Sequence, residues 1–133
     1  MEQIRIKRGI EVGVNDDGDS ILIDAENTLW IRGYKELIKT IQNIVDSINA
    51  IDEFAMSEDE QLDVVIDHMR QIMDAIDNQF GTDTCKKVFG DIVPMPLAVV
   101  EFFDAITPIV EKYTKERMDK INSKYSKNRK GSR

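Results

Sequence analysis

Thr28-Leu29-Trp30-Ile31-Arg32-Gly33-Tyr34-Lys35-Glu36-Leu37-Ile38-Lys39-Thr40-Ile41-Gln42-Asn43-Ile44-Val45-Asp46-Ser47-Ile48-Asn49-Ala50-Ile51 decides the fold. Trp30, Tyr34, Leu37, Ile41, Ile44, Ile48 and Ile51 are spaced 4-3-4-3-4-3. That period makes one apolar face of a long amphipathic helix, with Ile38 and Val45 widening the stripe. A helix over 28–54 is expected, capped at its start by Thr28 or Asn27. Gly33 inside it costs about 1 kcal/mol relative to Ala, so an irregular first turn is expected.

The same pattern repeats downstream. Leu62, Ile66, Met69, Met73, Ile76 and Phe80 predict a second helix over 57–80. Ser57-Glu58-Asp59-Glu60 reads as a capping box and Gly81 as its C-terminal stop. A short helix over 82–90 follows, starting at Thr82 or Asp83, ending at Gly90 and turning Cys85, Val88 and Phe89 inward. Pro94-Met95-Pro96 then imposes extended chain. A third long helix is expected from about Pro96 to Tyr125, with a kink or break at Ala105-Ile106-Thr107-Pro108.

Upstream, residues 1–27 read as strand. Glu11-Val12-Gly13-Val14 and Ser20-Ile21-Leu22-Ile23 flank an Asp17-Gly18 step, which predicts a hairpin near 10–24. A further strand at 2–7 is an option, because Ile4 and Ile6 alternate with polar residues. The fold class is therefore α+β, mainly α-helical: three long helices, one short helix and an N-terminal β-hairpin. Three regions result: the hairpin at 1–27, a helical domain at 28–125, and a basic tail at 126–133 expected to be disordered.

Charge is divided unevenly along the 133 residues. Residues 112–133 hold nine Lys/Arg and two acids, hence +7, while residues 1–111 are −14. An acidic body argues against nucleic acid as partner, since phosphate contacts dominate that affinity. One cysteine excludes an internal disulfide and points to a reducing compartment. No apolar run approaches the ~20 residues of a membrane span.

Chemistry-bearing motifs are weak. Asn15, Asp17, Asp19 and Glu26 imitate a calcium loop, but Ser20 stands where the motif needs Gly and the flanks read as strand. His68 is the single histidine and lacks a second ligand at matched spacing. Cys85 beside Lys86 and Lys87 could have a lowered pKa, yet no catalytic constellation accompanies it, and a buried thiol is the default. Phosphate loops and nucleophile motifs do not occur. A non-enzymatic protein without metal or cofactor is expected, working through its helix stripes.

Several segments together resemble a known family. They are Asn15-Asp16-Asp17-Gly18-Asp19-Ser20, Asp24-Ala25-Glu26-Asn27, and Ile76-Asp77-Asn78-Gln79-Phe80-Gly81-Thr82. Further along come Cys85-Lys86-Lys87-Val88-Phe89-Gly90, Glu101-Phe102-Phe103, Thr107-Pro108-Ile109-Val110, and the basic run from Lys124 to Gly131. The chain is similar to the small tail assembly chaperone-like proteins of bacteriophages that infect Gram-positive bacteria. The resemblance implies a chaperone that coats the helical tape measure protein during tail assembly and is absent from the finished virion. It also implies tail tube protein as a further contact, and the cytoplasm of the infected host as the place of action. A structural tail or connector subunit retained in the particle is the alternative, and self-association is compatible with either. The residues assigned to partner binding are the aromatic Phe102, Phe103 and Tyr113, with the basic Lys112, Lys115, Arg117, Lys120, Lys124, Lys127, Arg129 and Lys130.

The tail carries no apolar residue from 126 onward, so it adds nothing to a core. Deleting 126–133 should leave the cooperative thermal melt unchanged; loss of that cooperativity would make the tail structural.

Overall fold

In the computed structural model, backbone is described for residues 1–52 and 54–131, and side chains for 1–52 and 54–124. The expected disordered tail, 126–133, lies outside the residues described in full. Among the described residues the chain forms β1 (Ile10–Gly13), β2 (Ser20–Ile23), α1 (Thr28–Asn49), α2 (Glu58–Phe80), α3 (Thr84–Phe89) and α4 (Pro96–Gly131). The fold is mainly helical, with three long helices and an N-terminal antiparallel hairpin.

β1 and β2 pair in the register Ile10↔Ile23, Glu11↔Leu22, Val12↔Ile21 and Gly13↔Ser20. Ile21 and Ile23 are buried while Ser20 and Leu22 are half-exposed, so one face packs on the helices. The Asn15 carboxamide closes the turn by accepting from the Asp17 and Asp19 amides at 2.9 and 3.2 Å. Its Nδ2 donates to the Lys87 carbonyl at 3.0 Å, tying the turn to α3. Asn15, Asp17 and Asp19 thus serve a turn, while Glu26 pairs with Arg117.

The optional strand at 2–7 does not form. Residues 1–8 are exposed, with Ile4 and Ile6 at 91% and 77%. The chain instead passes tightly behind the end of β2, where a Cβ on Gly9 would lie 2.1 Å from the Ile23 carbonyl oxygen. Arg8 then grips buried Asp24 through Nε and Nη2, at 3.0–3.3 Å. Those hydrogen bonds hold the Asp24 carboxyl below the usual range, against burial that pushes it up. This contribution to stability is complete above the ordinary carboxylate pKa and is lost as pH falls through the depressed folded value.

Asn27, rather than Thr28, caps α1, its Oδ1 accepting from Leu29 and Trp30. The helix ends at Asn49, short of the expected 54. The Asp52 carboxylate accepts from the Phe54 amide at 2.9 Å, a local turn that competes with helix continuation. Ser57 caps α2 by accepting from the Glu60 amide at 3.2 Å. The Glu60 carboxylate accepts from the Ser57 hydroxyl rather than reaching back to its amide. Gly81 ends α2 at φ 121° and Gly90 ends α3 at φ 84°. Asp77 of α2 accepts the Cys85 amide at 2.9 Å, which fixes the start of α3.

Pro108 sits inside α4, which runs on past it, so of the expected kink or break the break does not occur. Phe103, Ile106, Val110 and Tyr113 are buried on both sides of the proline and keep the two halves on one core. Asp104 and Pro108 face solvent, so the carbonyl that Pro108 leaves unpaired can be hydrated.

Gly33 is not an irregularity; it lets α2 approach. Trp30 Nε1 donates to the Gln79 carbonyl at 3.0 Å, and Gln79 Nε2 donates to the Trp30 carbonyl at 2.7 Å. A Cβ on Gly33 would stand 2.5 Å from Gln79 Oε1. Gly33→Ala should therefore be nearly neutral, a gain of about 1 kcal/mol in helix propensity offset by the displaced Gln79 head. Gln79→Ala alone should cost about 0.5–1.5 kcal/mol, and clearly less in the Gly33→Ala background. Additive effects in urea melts would disprove this coupling.

Candidate functional site

α1 buries its main stripe against α2, so α4 meets α1 at one narrow place. There Tyr34 OH and Thr107 Oγ1 share a hydrogen bond of 2.5 Å, and the Tyr34 and Phe103 rings lie 6.1 Å apart. Burial, with the charge of Glu111, pushes the Tyr34 phenol up, while the Thr107 bond pulls it down. The net rise keeps Tyr34 a neutral phenol near pH 7.

A trough opens on each side of this bridge. One, of about 670 Å³, is lined by Ile31, Tyr34, Ile38, Gln42, Thr107, Val110 and Thr114, with Lys35, Lys39, Glu111 and Lys115 around it. The other, of about 360 Å³, is lined by Ile38, Ile41, Gln42, Val100, Phe103, Asp104, Thr107 and Pro108. Ile38, Gln42 and Thr107 line both, so the two troughs adjoin and make a groove in two parts. At 1.5 Å per residue it follows α1 for about 17 Å and α4 for about 22 Å. That matches three to four turns of a docked helix. Thr114 Oγ1, at one end, is shielded from solvent without a hydrogen-bond partner.

The assigned partner-binding residues fall into three groups. Phe103 and Tyr113 are buried, and Lys7 lies over the Tyr113 ring at 5.7 Å. Phe102 is half-buried, 5.9 Å from both Phe80 and Phe89. These aromatics hold α4 to the body, and Phe103 also lines the groove. Of the basic residues, Lys115 lines the groove, Arg117 pairs with Glu26, and Lys112, Lys120 and Lys124 are exposed. Lys127, Arg129 and Lys130 lie outside the residues whose side chains are described.

Sequence reasoning missed Ile31, Lys35, Lys39, Gln42, Thr107 and Thr114. The available signal was a second seam on α1, Ile31-Ile38-Val45 at sevenfold spacing, beside the main stripe.

Other chemistry is muted. Among the described residues no group of three or more His, Cys, Asp and Glu side chains could hold a metal ion, and no helix is long and apolar enough to cross a membrane. His68 is half-buried on α2. Cys85 is buried, its thiol donating to the Met73 carbonyl at 3.5 Å. Burial and the charges of Asp77 and Asp74 push that thiol up to about 12, the opposite of activation by Lys86 and Lys87.

Residues 22–133 match the model of DUF6673, a family of unknown function. The chain belongs to DUF6673. The matched region begins within β2 and contains all four helices, so the whole groove lies inside the DUF6673 region. No curated protein and no solved structure matches the chain.

With its thiol buried and its pKa raised, Cys85 should resist alkylation at pH 8 in the native protein and react at the rate of unfolding. Labelling that is as fast as free cysteine would contradict this environment.

Proposed function

We propose that this DUF6673 chain is a non-enzymatic assembly chaperone that binds and keeps soluble the helical tape measure protein during phage tail morphogenesis. The largely apolar, two-part groove between α1 and α4 carries the reading. It has the length and lining of a helix-in-groove site, in which an amphipathic helix lays its apolar face into a trough. The sequence resemblance to phage tail assembly chaperones supplies the client. The acidic body suits the task, because net charge keeps a complex with an apolar client soluble. In this reading the protein acts in the cytoplasm of the infected host and is absent from the virion, with tail tube protein as a further partner.

A structural tail or connector subunit is the second reading. It is favoured by the two-stranded sheet, whose outer strand edges have no strand partner among the described residues. Virion mass spectrometry separates the two, since abundant peptides from this chain would mark a retained subunit.

Co-expression with the tape measure protein should give a soluble complex. Ile38→Asp should abolish co-purification with little change in the thermal melt, because Ile38 is only half-buried. Leu29→Asp, outside the groove at an exposed position, should not. An insoluble client with nothing co-purifying overturns the proposal.

A further inference from the structure

The groove differs in charge from the molecule around it. Residues 1–111 carry −14, yet the larger trough is bordered by Lys35 and Lys39 on α1 and Lys115 on α4, against a single acid, Glu111. All three lysines are exposed. The ion pairs among the described side chains join Arg8 to Asp24 and Arg117 to Glu26, so Lys35, Lys39 and Lys115 have no carboxylate partner there. Lys35 and Lys39 are one helical turn apart and therefore stand side by side along one wall. The α1 wall thus presents two unpaired cations to whatever lies on the apolar floor, while the α4 wall presents Lys115 together with Glu111 and, in the smaller trough, Asp104.

A helix seated in this trough turns its apolar stripe to Ile31, Ile38 and Val110. The residues bordering that stripe then face the lysines. Carboxylates there gain three attractive pairs, and lysines there meet like charge. We propose that the groove selects an amphipathic helix of three to four turns with Asp or Glu along the border of its apolar stripe that lies against Lys35 and Lys39, and at the position opposite Lys115. This rests on the groove being the client site and adds the chemistry of the client. The rest of the acidic body repels such a helix, so the lysines also steer it to the groove.

The test uses the full chain and three stapled peptides of about fourteen residues, sized to the groove. They share one apolar stripe and differ only in border residues: Glu, Gln or Lys. Binding is read by fluorescence anisotropy at low salt and at about 0.5 M salt. The Glu peptide should bind about tenfold tighter than the Gln peptide, the sum of three modest exposed pairs. The Lys peptide should be weakest, and the spread should collapse at high salt. The triple variant Lys35→Glu, Lys39→Glu, Lys115→Glu should invert the order with an unchanged melt. Equal affinities for all three peptides overturn the charge inference and leave the groove reading standing. Absence of binding by every peptide overturns both. A dimer that the same reversals dissociate, and that no peptide displaces, gives the groove to a second copy and also overturns the proposal.

Discussion

Trp30 fixes where the two halves of the helical body meet. Its indole N–H donates to the backbone of Gln79, and its own carbonyl accepts from the Gln79 side chain. Its ring stacks on Tyr34 at 5.6 Å and meets the Phe80 edge at the same distance. A buried indole needs its hydrogen bond satisfied, and here the partner is the last turn of α2. The start of α1 is thereby locked to the end of α2. Phe80 passes the contact to Phe102, and Phe102 to Phe89, so α3 and α4 are placed by the same aromatic chain. With α1 committed to α2, α4 meets it around Tyr34, through Phe103 and Thr107. The groove is the consequence: an apolar second seam on α1 is left partly uncovered beside α4.

Local signals in the sequence were legible where the physics is local. Asn27, Ser57, Gly81 and Gly90 each bound a helix through their own side chain or positive φ, and each stands at its expected boundary. The Asp17-Gly18 step gave the hairpin for the same reason. The misses depended on distant groups. The break that was one alternative at Pro108 is absent, and continuation past it relies on core burial on both sides. The end of α1 at Asn49 is set by the Asp52 turn, which apolar spacing does not register. Residues 2–7 had the right alternation for a strand but lie exposed, and both outer edges of the hairpin stay unpaired by them. Gly33 read as a flaw until Gln79 occupied the space above it. For the groove, Ile38 and Val45 were visible as a widened stripe, but not which neighbour would leave that seam uncovered. Lys115 was singled out as basic, whereas Lys35 and Lys39 across from it required the α1–α4 pairing.

The charge division also has a structural use at the N-terminus. Arg8 neutralises Asp24, which is buried where β2 leads into α1. Arg117 reaches Glu26 two residues on, and Lys7 covers Tyr113. The basic N-terminal arm and the basic part of α4 therefore converge on the β2–α1 connection. Lys112, Lys120 and Lys124 remain exposed beyond it. The positive end of the chain is thus partly spent on intramolecular docking, and the groove lysines form a separate set.

Burial is concentrated toward one end of the α1–α2 pair. Trp30, Tyr34, Leu37 and Ile41 are buried on α1, with Met69, Ile72 and Ile76 opposite on α2. Farther along, Ile44, Val45, Ile48, Val65 and Ile66 are only half-covered, Leu62 is half-exposed and Phe54 is fully exposed. Local opening costs least where few apolar contacts are made. The α1 wall of the groove runs from Ile31 to Gln42 and so lies in the well-buried half of the pair. The less covered half, from Ile44 onward, lies outside the groove. A firm wall holds its side chains in fixed register, which suits the proposed role of the groove as a seat for a helix.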